Sequence, residues 1–350
     1  MFDSIISINI AKAQQLVLKM ISKGIKRPFM FWSAPGIGKS DVIRLIAHAI
    51  GYELVDIRLS YFNPIDLHGL PVPDIEKEVV KFIRPKFLPT GKKKLILFDE
   101  LAAAPHSVQV AAYQLMLDRK LGEYQLPDDC IVMAASNPEG EGLCHSMLKP
   151  LVSRFAAHLY INPDLNAWLE GYAHPNHIDP RIIAYLTCFP QHIYTEQDDS
   201  QNIAYACPRS WAALDEMIKG ETDMEEIRPL INGCVGTATA SLFIEHAKLA
   251  DQVPNPETIL AGGAFDYPAT PEILSHTVVA MTNLAKSREQ SSDIHAMLDF
   301  AINMPTHMAD HAIAVVRNIF TAFADRQQQI VNAPNFNTFI EMFGDLVPSK

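Results

Sequence analysis

Four side chains in two short segments could together handle a polyphosphate and a divalent cation: Lys39 and Ser40 in one, Asp99 and Glu100 in the other. The first segment reads Ser33-Ala34-Pro35-Gly36-Ile37-Gly38-Lys39-Ser40. Gly36 and Gly38 lack Cβ atoms, so the backbone can curl and turn its N–H groups toward phosphate oxygens. Ala34, Pro35 and Ile37 complete the cradle. A helix starting near Lys39 would aim its positive end at the same anion. Lys39 would neutralise the β- and γ-phosphates, and Ser40 would ligate Mg²⁺. The usual phosphate-loop pattern begins with Gly where this chain has Ser33. Ser serves there if the turn needs no positive φ.

The second segment, Leu95-Ile96-Leu97-Phe98-Asp99-Glu100, is four apolar residues followed by two acids. A buried strand would carry both carboxylates to the carboxyl edge of a sheet, where ligands of open α/β sheets bind. Asp99 would hold the Mg²⁺ shell directly or through water. Glu100 would orient and polarise the attacking water. A third apolar run, Cys130–Ala135, continues into Ser136-Asn137-Pro138. Asn137 at that strand end could bond the γ-phosphate or the lytic water, and Pro138 would force the chain out of the sheet.

These residues need elements to hold them. Apolar spacing over residues 10–25 predicts a helix that Pro28 ends. Phe29–Trp32, Tyr52–Leu59, Leu95–Phe98, Cys130–Ala135 and His158–Ile161 read as strands. Lys39–Ile50 and Val108–Leu117 read as helices. Alternation of this kind implies a parallel sheet covered on both faces. After residue 162 the pattern is helical: Leu165–Tyr172, Arg181–Cys188, Arg209–Ile218, Ile227–Ala247, Pro271–Lys286, Asp293–Ile302 and His307–Phe323. The expected division is 1–161, 162–248 and 249–350.

In this order the motifs resemble those of AAA+ ATPases. Ser33–Ser40, Leu95–Glu100, Ser136-Asn137-Pro138 and Ser153-Arg154-Phe155 are similar to Walker A, Walker B, sensor 1 and arginine-finger motifs. Val55–Ser60, Asp66–Pro71 and Leu117–Tyr124 look like the MoxR and dynein-related branch. The resemblance covers roughly residues 30–220. It implies an αβα sandwich with an insert in helix 2 and a hairpin before sensor 1, at about Gly122–Asp129, followed by a helical lid and a helical C-terminal region. It also implies ATP and Mg²⁺ as cofactors, and a homo-oligomeric ring, a hexamer in this branch. Arg154 would act on a neighbouring subunit's nucleotide, with Arg119 in reserve, and a guanidinium suits that role because it grips phosphate bidentately. Cys207-Pro208-Arg209-Ser210-Trp211 resembles sensor 2, with Arg209 turned toward nucleotide from the first turn of a lid helix. The branch remodels, assembles or activates protein targets, often with a von Willebrand factor A domain partner. Two other occupations stay open: a nucleic-acid motor or loader, and a scaffold that binds nucleotide and hydrolyses it slowly or never.

Charge weighs against nucleic acid. Residues 1–160 sum to +3 and residues 161–350 to −14 within the total of −11. An acidic second half disfavours broad phosphate-backbone binding. Lys92-Lys93-Lys94 is a local basic run that suits a solvated turn before a strand. Hydrophobic content of 48% and charged content of 20% describe a globular chain. No apolar run reaches the roughly 18 residues that cross a membrane. The N-terminus does not read as a secretory signal. Five dispersed cysteines without a CxxC pair suggest reduced thiols in a cytoplasmic protein. His174-x-x-His177 and His307-x₃-His311 lack a nearby third ligand for a metal. Met297, Met304 and Met308 suit packing.

Overall fold

The computed structural model describes residues 5–343 apart from 92, 139–143, 145–146, 196–202, 289 and 306–307. Lys92 of the basic run and His307 of the spaced histidine pair therefore lie outside the described residues. The chain divides into two compact units, Met1–Asp164 and Leu165–Lys350.

The first unit runs β1 (Ser7–Ile8), α1 (Ile10–Ser22), β2 (Phe29–Trp32), α2 (Lys39–Ala49), β3 (Glu53–Arg58), α3 (Pro64–His68), β4 (Leu70–Asp74) and β5 (Val79–Ile83). It continues with β6 (Lys94–Asp99), α4 (His106–Asp118), β7 (Lys120–Leu121), β8 (Tyr124–Gln125), β9 (Ile131–Ser136), α5 (Lys149–Val152) and β10 (Ala157–Ile161). Six strands form one parallel sheet in the order β1-β10-β2-β9-β6-β3. The expected parallel sheet with helices packed on it is thus present. Its central strands β2, β9 and β6 are apolar at nearly every position because both faces are covered.

Helices cover the sheet through one apolar face each. In α2, Val42, Ile43, Ile46 and Ala47 are buried, and full burial of each isoleucine stabilises by about 1.5–3 kcal/mol. The side chain of Asn9 caps α1 by accepting from the Lys12 N–H at 2.9 Å, which satisfies one donor of the first turn. In α4, Val108, Ala111, Ala112, Leu115 and Met116 are buried. They join Met30, Trp32, Ile96, Phe98 and Val132 in one core cluster.

Two hairpins leave this frame. β4 and β5 pair antiparallel, with Leu70 opposite Ile83. Gly69 enters that hairpin at φ 95, and a Cβ there would stand 2.1 Å from the Ile83 carbonyl oxygen. Its apolar side chains Leu70, Val79, Val80 and Ile83 are exposed. β7 and β8 pair across a turn at Gly122 and Glu123. That second hairpin falls at Lys120–Gln125, a few residues upstream of the expected 122–129. The shift has a local cause: Arg119 takes a left-handed φ of 54 and ends α4 there, so the strand starts at once.

The second unit is helical: α6 (Leu165–Trp168), α7 (Pro180–Cys188), α8 (Pro208–Ile218), α9 (Arg228–Val235), α10 (Thr237–Ala247), α11 (Pro256–Leu260), α12 (Pro271–Arg288), α13 (Ser291–Ile302), α14 (Ala309–Ala322), α15 (Gln327–Val331) and α16 (Phe336–Phe343). The helix expected over Ile227–Ala247 is two helices. Gly236 separates them at φ 84, and a Cβ there would lie 2.8 Å from the Ala204 carbonyl oxygen. The segment expected as a helix over Leu165–Tyr172 changes after Trp168 into a π turn, Leu169–Ala173. Two apolar clusters fill the unit. One gathers Trp168, Tyr185, Trp211 and Phe243. The other gathers Met297, Phe300, Ile319 and Phe339, with Met304 and Met308 buried in it as the sequence suggested. Among the described residues no helix is long and apolar enough to cross a membrane.

Candidate functional site

Four neighbouring parallel strands end on one edge of the sheet. β2 runs into Ser33 and the glycine loop, β9 into Asn137, β6 into Asp99 and Glu100, and β3 into Ser60. Register fixes this alignment: Trp32 pairs with Ser136, Phe98 with Ala134, and Arg58 with Asp99. The edge is the carboxyl edge, where ligands of open α/β sheets bind.

The loop has the backbone its glycines imply. Gly36 lies at φ 78 and Gly38 at φ 105. A Cβ on Gly38 would also press to 3.2 Å from Ile10 Cδ1. Ser33 is not among the positive-φ residues, so its position imposes no demand for Gly. It is fully buried, and its hydroxyl donates to the Ala34 carbonyl at 2.8 Å. Gly38 starts α2 without a side-chain cap, an arrangement that suits an anion at a helix start. The Lys39 ammonium donates to the Ser33 carbonyl at 3.0 Å, to Ser33 Oγ at 3.1 Å and to the Ala34 carbonyl at 3.2 Å. It also donates to Asn137 Oδ1, which ties β2's loop to the end of β9.

The acidic pair sits beside it. Ser40 Oγ donates to Asp99 Oδ2 at 2.6 Å, and Asp99 is 8% exposed. Glu100 takes a left-handed φ of 56, uncommon for a residue with a Cβ. Its own N–H donates to Asp99 Oδ1 at 2.9 Å. The turn that follows is fastened to β9 by the Ala102 N–H, which donates to Ser136 Oγ at 3.0 Å. The Ser60 hydroxyl donates to Glu100 Oε2. Asp56, though exposed, has its carboxyl raised above the ordinary carboxylate range, first by lost hydration and then by the charge of Asp99.

Sequence reasoning brought Lys39, Ser40, Asp99, Glu100 and Asn137 together, and the structure places them together. It missed the contact from Ser60 to Glu100. Ser60 lies in the 3-10 turn Leu59–Tyr61, directly after a strand that ends on the same edge, which was the available signal. The donor set suits Mg²⁺: a hydroxyl and a carboxylate, both hard oxygen ligands, already in contact. Among the described residues no group of three or more His, Cys, Asp or Glu side chains is placed to hold a metal by itself. A cation here would draw its remaining ligands from phosphate and water.

Two arginines mark another face of this unit. Arg154 is exposed and donates to the Tyr113 hydroxyl through Nε at 3.3 Å and Nη2 at 2.9 Å. Its guanidinium lies 5.4 Å from the Tyr113 ring centroid. Arg119 instead donates Nη2 to the carbonyls of Pro127 at 2.7 Å and Cys130 at 2.9 Å. Both line a cleft of about 660 Å³ with Lys26, Arg27 and Ser153. Arg209 is exposed in the first turn of α8 in the second unit. Its helix is capped by the Ser210 hydroxyl, which accepts from the Cys207 N–H at 2.8 Å.

No family model matches the chain. Over 138 residues, 38% of this chain, it is 26% identical to the replication factor C large subunit of Ignicoccus hospitalis, and the match spans 27% of that protein's length. Among solved structures it is similar to the RuvB Holliday junction branch migration motor of Thermotoga maritima, at 11% identity and a TM-score of 0.34, covering 92% of this chain and 85% of that one. It is also similar to NtrX from Brucella abortus in complex with ADP, at 16% identity and a TM-score of 0.40, covering 80% of this chain and 64% of that one.

Proposed function

We propose that this chain is a Mg²⁺-dependent ATPase of the MoxR-like AAA+ kind, working at the subunit interfaces of a homo-oligomeric ring, a hexamer, to remodel, assemble or activate a protein target. The observation that carries the reading is the meeting of Ser40, Asp99 and Glu100 at the carboxyl edge beside a glycine loop that holds Lys39. Lys39 and the first N–H groups of α2 would hold the β- and γ-phosphates. Ser40 and Asp99 would hold Mg²⁺, which supplies charge neutralisation on the phosphoryl oxygens. Glu100 would take a proton from the attacking water, and Asn137 would orient that water or the γ-phosphate.

Arg154 is the residue we assign to a neighbouring subunit's nucleotide. It is exposed on an aromatic platform, whereas Arg119 is committed to two backbone carbonyls of its own chain. Trans-acting arginines of this type accelerate phosphoryl transfer by about 10³–10⁵. Arg209 would report the nucleotide state to residues 162–248, acting as a lid, with 249–350 as an extension that contacts the target. A von Willebrand factor A domain partner and a cytoplasmic location complete the reading.

Its test is Glu100→Gln. That variant should bind ATP as the parent does and lose turnover by about 10²–10⁴. Full turnover would remove Glu100 from the role and the mechanism with it.

A second reading has its own support. The segment similar to a replication factor C large subunit favours a nucleic-acid motor or loader. The −14 charge of residues 161–350 opposes it. Salt-dependent binding to duplex or single-stranded DNA would decide in its favour.

A further inference from the structure

A cavity of about 300 Å³ opens in the second unit between the end of α7, the first half of α12 and α14. That is the low end of small-molecule sites. Phe189, Leu274, Val278 and Val315 form its apolar wall, and Glu272 and Cys188 also line it. Nothing in the ATP chemistry uses these residues.

Behind Cys188 stands a chain of two buried imidazoles. His246 Nε2 lies 3.4 Å from Cys188 Sγ. His276 Nε2 lies 3.0 Å from His246 Nδ1 and 3.2 Å from the His246 carbonyl oxygen. Both rings are 4% exposed. The carbonyl can only accept, so His276 carries its proton on Nε2. That N–H faces His246 Nδ1 as well, which makes Nδ1 the acceptor. Neutral His246 therefore carries its proton on Nε2 and turns an N–H toward the sulfur. Ser275, whose hydroxyl donates to the Ala184 carbonyl at 3.3 Å, also lies beside the sulfur. A thiolate formed at Cys188 would meet the His246 N–H already in place.

Two influences work against that thiolate in the resting protein. Burial and the Glu272 carboxylate both push the Cys188 thiol up. A cationic molecule in the cavity would offset the second by pairing with Glu272. The cavity thus selects by charge as well as by size, and it couples binding to activation of the thiol.

We propose that Cys188 is a thiol-exchange site for small aliphatic disulfides that carry an ammonium group. The Cys188 sulfur attacks one sulfur of the bound disulfide. A bond forms between Cys188 and the proximal half, the original S–S bond breaks, and the distal half leaves as a thiolate. That thiolate takes up the proton lost by Cys188, so Cys188 is oxidised, half of the reagent is reduced, and no other oxidant is required. The apolar wall holds the carbon chain, Glu272 holds the ammonium, and the His246–His276 pair orients the donor at the sulfur.

The test is cysteine-resolved mass spectrometry on the full native chain exposed to cystamine. Cys188 should be modified at least tenfold faster than Cys144 or Cys234, which are also partly exposed. Glu272→Gln should slow the reaction with cystamine several-fold and should not slow the reaction with uncharged 2-hydroxyethyl disulfide, which gains from losing the carboxylate that holds the thiol up. His246→Gln should slow both reagents. Because His246 is buried and its variant could misfold, the Glu272 comparison stands on its own, since that side chain is only partly buried. Modification of Cys188 no faster than the other two thiols, or equal loss for both reagents in Glu272→Gln, would overturn the assignment.

Discussion

The hydroxyl of Ser60, in the turn after β3, donates a hydrogen bond to Oε2 of Glu100, the residue after β6. Glu100 sits in a left-handed conformation just past its strand, so its direction is set by few contacts, and Ser60 supplies one of them. Hydrogen bonds to charged groups are worth about 1.5–3 kcal/mol. Ser60→Ala should therefore lower kcat by roughly tenfold or more, at about 1.4 kcal/mol per decade. KM for ATP should stay within about a factor of two, because the role proposed for Ser60 is to position Glu100 and not to hold phosphate. Steady-state ATPase kinetics check this, and an equal change in KM would place Ser60 in nucleotide binding instead.

Ser40 and Asp99 form a contact that a cation would have to open, since the Ser40 hydroxyl donates to Asp99 Oδ2. Chelation by EDTA should abolish turnover, and Mg²⁺ in excess should restore it. Ser40→Ala should raise the Mg²⁺ concentration needed for half-maximal rate by about tenfold or more, as loss of one oxygen ligand from a hard-cation site implies. Titration of Mg²⁺ at saturating ATP measures this directly. An unchanged Mg²⁺ requirement would take Ser40 out of the ligand set.

How far the site could be read from sequence depended on the kind of constraint. Lys39, Ser40, Asp99, Glu100 and Asn137 follow apolar runs that must be buried strands, so their common edge followed from alternation alone. The β4–β5 hairpin had no such signal. Its residues Leu70, Val79, Val80 and Ile83 are apolar yet exposed, and pattern reasoning equates apolar with buried. The break at Gly236 was also hidden, because apolar residues continue on both sides. What ends the helix is the approach of the Ala204 carbonyl, a contact distant in sequence. The Arg119 and Arg154 assignments could not be separated from spacing. Their hydrogen bonds differ, since Arg119 is spent on carbonyls of its own chain, and this supports the choice of Arg154.

That difference makes the two arginines testable as a pair. Arg119→Ala would leave the carbonyls of Pro127 and Cys130 without their donor, costing about 1–3 kcal/mol, read as a lower denaturant midpoint. Arg154→Ala removes an exposed group and should shift the midpoint by no more than about 0.5 kcal/mol equivalent. Its ATPase activity should nevertheless fall by about 10³ or more. Mixing Arg154→Ala with Glu100→Gln subunits should restore part of the activity, because some interfaces then join an intact Glu100 to an intact Arg154. No recovery in the mixture would deny that the arginine acts across an interface.

The desolvated imidazoles of the second unit predict how stability varies with pH. Burial, and then the neighbouring His276, hold His246 down to about 4 from 6.5. Burial, and then Lys286, hold His174 down to about 4. His276 is also lowered, chiefly by burial, while the His246 carbonyl and Asp179 act to raise it and Arg181 to lower it. Glu272 faces His246 and partly opposes its shift. Each folded value lies below the unfolded value, so the unfolded chain takes up protons first. Stability is complete above pH 6.5 and is lost as pH falls from 6.5 toward 4. For His246 the loss across that window is on the order of 3 kcal/mol, at about 1.4 kcal/mol per pH unit. Urea unfolding of the full chain at pH 7.5, 6 and 5, followed by tryptophan fluorescence, to which Trp168 and Trp211 of this unit contribute, should show a falling midpoint. His246→Phe should flatten that slope. A midpoint independent of pH between 7.5 and 5 would mean that these histidines titrate alike in the folded and unfolded chain.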